Sequence, residues 1–246
     1  MRGLVALGRH VGLATLAGLI AGVVVGGLLG RVVMRVSGFM GGPGMVGVRT
    51  SNGNRVGDIT LEGTIGLILF AGVATGVLGG ILYAGSEPWL RRSRPWSGLV
   101  FGIGLFAAVG FTTVDPSNVD FARFGSAPVN VAMFAALFVL FGIAIAWLLE
   151  RLRAVAAGRG TRARVVEGLG WLALLPVAPL MVAVFAGLGA NSDPLPAVVI
   201  AAALAIAAVA HWRRFPPLIG YAALAVPLMT GSVRLAGGLT ALLAGL

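Results

Sequence analysis

The sequence contains no cysteine and no lysine, and only two histidines and two tyrosines. Without cysteine there is no disulfide, thiol nucleophile, iron–sulfur cluster or cysteine zinc site. Without lysine there is no retinal-type Schiff base and no Gly-xxxx-Gly-Lys-Ser/Thr phosphate loop. A His-Glu-xx-His zinc motif is also missing, and no serine pairs with a histidine at similar depth. Charge itself is scarce, at 11% of 246 residues, where a soluble domain carries about 25%. What fills the chain is apolar: 58% hydrophobic residues and a mean hydropathy of +0.99. The 39 glycines lie inside these apolar runs, where glycine serves packing between membrane helices. The composition is that of a polytopic membrane protein.

A span needs about 20 predominantly apolar residues. Seven candidates follow: Val11 to about Gly30, Thr64–Ala84, Gly98–Val114, Val129–Leu149, Gly168–Gly189, Ala197 to about Ala210, and Leu218 to Val233 or beyond. The sixth is short, and Arg234 interrupts the last. The first apolar run exceeds the 7–15 residues of a signal-peptide core, so no cleavable signal is expected. Pro179 and Pro227, in similar Pro-Leu-Met contexts of spans five and seven, should kink or break their helices.

The net charge is +10, all of it from arginine. Arginine-only usage matches a GC-rich genome, and the arginines sit in short loops, which argues for topology rather than nucleic-acid binding. Arg2, Arg9, Arg91, Arg92, Arg94, Arg151, Arg153, Arg159, Arg162, Arg164, Arg213 and Arg214 fall in alternate connections and make up twelve of the eighteen. The positive-inside rule places these segments in the cytoplasm, so the N-terminus is inside and the C-terminus outside. Asp58, Glu62, Asp115, Asp120 and Asp193 lie on the opposite face. Trp89, Trp96, Trp147 and Trp212 fall near the cytoplasmic ends, as an interfacial belt requires. His10 and His211 also fall there and read as interfacial residues rather than ligands.

The expected fold is an all-α bundle, a single transmembrane domain over residues 1–246 in the bacterial plasma membrane. The exoplasmic loop 37–63 holds a candidate β-hairpin, signalled by Asn52-Gly53 between two β-rich arms. It is either a connector or a lid. The stretch 150–167 reads as a basic cytoplasmic loop touching anionic lipid.

Two patterns carry the most information. Gly18, Gly22, Gly26 and Gly30 form a smooth strip at i+4 spacing on the first span, a glycine zipper, and Gly72, Gly76 and Gly80 form a second on the next. Such strips let backbones approach closely. They serve either packing within one subunit, one strip against the other included, or a homo-oligomer or membrane-protein partner. The second pattern is Arg31 and Arg35, one turn apart at the outer end of span one, about 30 Å of helix from its start. Arginine there opposes the positive-inside rule, so Glu62, Asp115 or Asp120 is expected to compensate it, with Arg123 beside Asp120. The cluster is either a structural salt bridge or a site for an anion, a carboxylate or a lipid phosphate, which arginine forks bind bidentately.

No catalytic residue, metal ligand or cofactor site stands out. The expected function is a non-catalytic structural or accessory membrane subunit built on glycine packing. The first alternative is a small transporter or binding protein with an outward anionic site at Arg31 and Arg35. The second is an enzyme acting on lipid-linked phosphate, with Asp115 or Asp120 as base. The expected partners are the lipid bilayer, anionic lipid at the cytoplasmic face, and another membrane protein or a second copy, with no nucleic acid.

Overall fold

The computed structural model describes residues 2–45, 47–48, 61–114, 124–180, 182 and 217–244. Six helices account for most of them. Helix α1 runs from Arg2 to Met40 and contains a π-helical stretch at Gly22–Leu29. Helix α2 runs from Leu61 to Leu90, with a π-helical stretch at Ile68–Ala74. Helix α3 covers Ser97–Val109 and ends in a 3-10 turn, Gly110–Thr112. Helices α4 (Ala127–Ala156), α5 (Thr161–Leu172) and α6 (Pro217–Ala244) complete the set. In an apolar chain a helix satisfies its own backbone hydrogen bonds, which a span must do. The stops are local: α1 ends at Gly41, followed by Gly42 at φ +89°, and α4 ends just before a turn whose Gly160 has φ +116°.

Five helical stretches are long and apolar enough to cross a membrane: Gly3–Met40, Gly63–Ser93, Ala127–Ala156, Thr161–Leu180 and Leu224–Ala244. The third expected span is the shorter apolar helix Ser97–Thr112. The sixth, Ala197 to Ala210, lies outside the described residues, so a full set of seven is not reached here. No strand occurs among the described residues, and the turn and second arm of the expected hairpin, through Asn52-Gly53, fall outside them. Its described approach is the end of α1 and a 3-10 turn at Pro43–Met45, not a strand. The expected loop 150–167 is mostly helical. Its arginines continue α4 to Ala156 and open α5 at Thr161, leaving only 157–160 between. Pro227 sits inside an unbroken α6. In the fifth span α5 stops at Leu172, ahead of Pro176, and helical turns resume toward Leu180.

The helices associate first in pairs. In α1 and α2 the glycine strips meet backbone to backbone in antiparallel register. A Cβ on Gly76 would fall 2.6 Å from the Gly18 carbonyl oxygen, one on Gly22 would fall 2.7 Å from the Gly76 Cα, and one on Gly80 would fall 2.5 Å from the Ala14 oxygen. Residue i+4 lies roughly 40° past residue i on an α-helix, so a long i+4 strip winds off its partner. The π-helical stretches face each other in this seam, and their wider turns undo that drift. Gly26 still meets the Ala71 carbonyl, but Gly30 meets no backbone of α2, only the Leu67 side chain and the Val25 carbonyl of its own helix, each at 3.9 Å.

Helices α3 and α4 form a second antiparallel pair by the same device. Cβ atoms on Gly98 and Gly102 would lie 2.8 Å and 2.6 Å from the carbonyl oxygens of Gly142 and Phe138. Helix α5 leans on α1, where Gly12 approaches Gly170, and α6 leans on α3, where Gly231 approaches Ala107 and Ala108. Between the two pairs lies the main core. Leu13, Ala17, Tyr83, Phe101, Ile145 and Leu149 are all buried in it, and the Tyr83 and Phe101 rings meet edge-on with centroids 5.0 Å apart.

Candidate functional site

The end of the bundle that carries the N-terminus also carries most of the described arginines, and there the buried polar groups converge. Helix α2 runs past Ala84, where a span was expected to stop, and places Glu87 in the interior at 3% exposure. From α4, Arg153 meets it as a fork, Nη1 donating to Oε1 at 2.7 Å and Nη2 to Oε2 at 2.6 Å. From α1, His10 stands on the same guanidinium, its Nδ1 2.8 Å from Arg153 Nη2. Arginine has donors only, so Nδ1 must accept, and the remaining ring proton belongs on Nε2. That nitrogen lies 3.4 Å from the Ala84 carbonyl and 3.5 Å from Glu87 Oε2.

The sequence explains why the Ala84 oxygen needs a donor. Pro88, four residues on, has no N–H to give it. Arg91 Nε stands 3.7 Å from Glu87 Oε1, one turn along α2. One turn outside this core, Arg9 donates from Nη2 to the Ala156 carbonyl at the end of α4, at 2.7 Å. Its Nε stands 3.1 Å from Glu167 of α5. Arg92 donates to the Tyr221 hydroxyl of α6 at 2.8 Å. Arg9, His10, Glu87, Arg92 and Arg153 thus tie α1 to α2, α4 and α5, and α2 to α4 and α6. Exposed Trp96, Trp147 and Trp171 ring this end, with Arg151 5.5 Å from the Trp147 ring.

The opposite end is simpler. Asn130 of α4, at 3% exposure, accepts a hydrogen bond from the Ser37 hydroxyl of α1 and donates to the Phe124 carbonyl at 2.6 Å. Gly125, at φ +74°, brings this segment against Ser37 and Met40. Arg31 is half-buried and Arg35 exposed, the latter with its guanidinium 5.3 Å from the Phe39 ring. Glu62 falls in the first turn of α2. Asp115, Asp120 and Arg123, the other members of the expected outer cluster, lie outside the described residues. Arg234 caps this end over the Phe111 ring at 5.4 Å.

Chemically, the inner network is a clamp. Glu87 is covered by a bidentate guanidinium, and both His10 nitrogens face partners. Among the described residues no group of three His, Asp or Glu side chains could share a metal ion. Ending the second span at Ala84 leaves Glu87 out of consideration and so misses this cluster. The available signal was an acid directly before a proline, four residues ahead of Arg91, at the depth of His10. Its partner Arg153 could not be identified from spacing, because the pairing spans 66 positions.

Between the pairs, outward of the main core, is a cleft of about 330 Å³. No family model, curated protein or solved structure matches the chain.

Proposed function

We propose that the protein is a non-catalytic, multi-pass integral protein of the bacterial plasma membrane that serves as a structural or accessory subunit. The observation that carries this reading is the inner clamp: among the described residues, buried Glu87 and the Arg153 and His10 beside it are tied to one another. In a membrane protein such groups otherwise mark transport paths or catalysis. The proposed topology has this arginine-rich, tryptophan-ringed end in the cytoplasm. Because the chain has no cysteine, single cysteines can report it. Cysteine at Gly158 should label only from the cytoplasmic side, and cysteine at Ser51 only from outside. The subunit role is tested by extraction from native membranes in mild detergent. A stoichiometric protein partner is expected, and a monodisperse, lone monomer would overturn the role.

A second reading is a small transporter or binding protein for an anionic ligand at Arg31 and Arg35. It draws on the half-burial of Arg31 against the positive-inside rule. If Arg31 is paired with an outer carboxylate, Arg31→Leu costs on the order of 3–5 kcal/mol. Neutralising Asp115 or Glu62 should then recover part of the loss in melting temperature, and Arg35→Leu should do less. Such recovery would mark a structural salt bridge and remove the binding reading, whereas an Arg31 loss that neither carboxylate change rescues would support an anion site.

A further inference from the structure

We propose that the cleft between the two helix pairs is a binding site for one acyl chain of a membrane phospholipid, lying lengthwise along α2. Its volume of about 330 Å³ lies within the range of ligand sites, about 300–1,000 Å³. Its shape follows from the bundle. The pairs are fastened to each other by Glu87, Arg153 and His10 at one end and by Ser37 and Asn130 at the other. Between these fastenings the α1–α2 seam and the α3–α4 seam are each closed internally by glycine. The bulk that would fill the space between pairs therefore comes only from side chains, and outward of Phe141 it does not suffice. The cleft extends along α2 from Leu67 to Leu82, roughly 20 Å of helix. Across from α2 it is walled by Val109 of α3 and by Phe134 and Phe138 of α4.

The chemistry of the wall selects the occupant. Among the described residues no charged side chain lines the cleft. Three threonines reach the wall: the hydroxyls of Thr75 and Thr112 donate to carbonyls of their own helices, Ala71 and Val109, and Thr113 is the third. The rest of the wall is glycine and apolar side chains, so a polar occupant would find few partners. Thr75 and Thr112 are also exposed, so the cleft opens sideways, into what the spans make the hydrocarbon layer. An extended hydrocarbon chain matches the length and the scarcity of hydrogen-bonding groups. Glycines at Gly26 and Gly30, and the π-helical stretches beside them, form part of the wall without side-chain bulk.

The test is reconstitution of the full chain into phosphatidylglycerol–phosphatidylethanolamine vesicles doped with a phospholipid that carries a photoactivatable diazirine on one acyl chain. After illumination, peptide mapping should show cross-links to α2 between Leu67 and Leu82 and to α4 around Phe134–Phe138. These should exceed by several-fold those to outward-facing positions such as Val226 and Val233 of α6. Val109→Phe and, separately, Thr75→Leu add bulk at the wall and the rim, and each should lower cleft cross-linking several-fold while leaving α6 labelling unchanged. Either variant suffices if the other fails to fold. Labelling spread evenly over every lipid-facing helix, or cleft labelling unchanged in a folded variant, would overturn the proposal and leave only ordinary boundary lipid.

Discussion

The seams within the helix pairs and the seam between them are built on opposite principles. Within a pair, glycine removes the side chain and backbone meets backbone, as where Gly18 and Gly76 or Gly98 and Gly142 approach. Between pairs, large side chains such as Phe141, Ile145 and Leu149 fill the inner half, polar clamps close the ends, and a cleft remains. Hydrocarbon surroundings explain the division. Lipid chains are as apolar as leucine, so helices gain little from burying leucine and gain from close van der Waals contact instead. A seam without side chains is continuous but unforgiving. A seam of side chains and hydrogen bonds can leave space and still hold register.

The sharpest test of that contrast sets Gly22 against Gly30, two positions of one strip. A leucine at Gly22 would have to displace the Gly72 carbonyl and the Gly76 backbone, neither of which can give without separating the helices. We expect Gly22→Leu to cost about 3 kcal/mol or more and to abolish a cooperative thermal transition in detergent. At Gly30, on the border of the cleft, a Cβ meets the Leu67 side chain and the Val25 carbonyl at ordinary contact distance, 3.9 Å, and no backbone of α2. Gly30→Leu should leave the melting temperature nearly unchanged. Similar losses at the two sites would show that the strip packs as one surface and that the seam does not open where described.

The clamp comes next. Replacing Arg153 with methionine leaves Glu87 buried without its fork, a change that costs on the order of 3–5 kcal/mol for a buried ion pair. The double variant Glu87→Met with Arg153→Met removes both charges and should recover most of that loss, because a well-packed apolar pair can replace a buried ion pair at little cost. Chemical denaturation of the three proteins in one detergent measures this. A double variant as unstable as Arg153→Met alone would mean that the clamp supplies more than mutual neutralisation.

At the other end of the bundle the fastening is neutral and smaller. Asn130→Leu would strip partners from the Ser37 hydroxyl and the Phe124 carbonyl, and a buried group left unpaired costs about 1–3 kcal/mol. The expected loss is therefore below that of Arg153→Met. It should be accompanied by faster proteolysis between Gly125 and Ala127, since the same side chain holds that segment. A loss equal to that at the inner clamp would erase the difference between the two ends.

How much of this could be read from the sequence depended on the range of the interaction. Helical class and five of the spans rest on runs of apolar residues, which composition carries locally. The glycine strips were visible as i+4 spacing, and so was the choice between internal and external use, but not the answer. That answer depends on the antiparallel register of α1 and α2, to which the π-helical turns contribute, and no residue pattern at Gly22–Leu29 announces them. The inner clamp was hidden for a different reason. Arginine and glutamate near span ends are read as loop, and α4 was expected to end near Leu149 rather than carry Arg153 inward. Charged residues extend a helix readily when a partner waits across the bundle, as Glu87 does for Arg153. His10 reads from sequence as interfacial rather than as a partner of Arg153, since nothing local marks Pro88 as the reason the Ala84 carbonyl needs a donor.

The smallest effect expected separates a buried pair from an exposed one at the same end of the bundle. Arg94 and Glu150 lie 3.7 Å apart, like Arg153 and Glu87 joining the end of α2 to α4, but their side chains are 55% and 63% exposed. Water and salt screen such a pair, and holding two long side chains together costs rotamer entropy. Exposed pairs are worth about 0–1 kcal/mol, so Glu150→Gln should shift stability by a few tenths of a kcal/mol and less again at high salt. The comparison also controls for depth, because Glu150 and Arg153 are neighbours on α4. If Glu150→Gln destabilised the protein as much as Arg153→Met, the burial of Glu87 would not be what gives the clamp its strength. The whole arginine-rich end would then act as one charge network rather than as a single fork inside a screened rim.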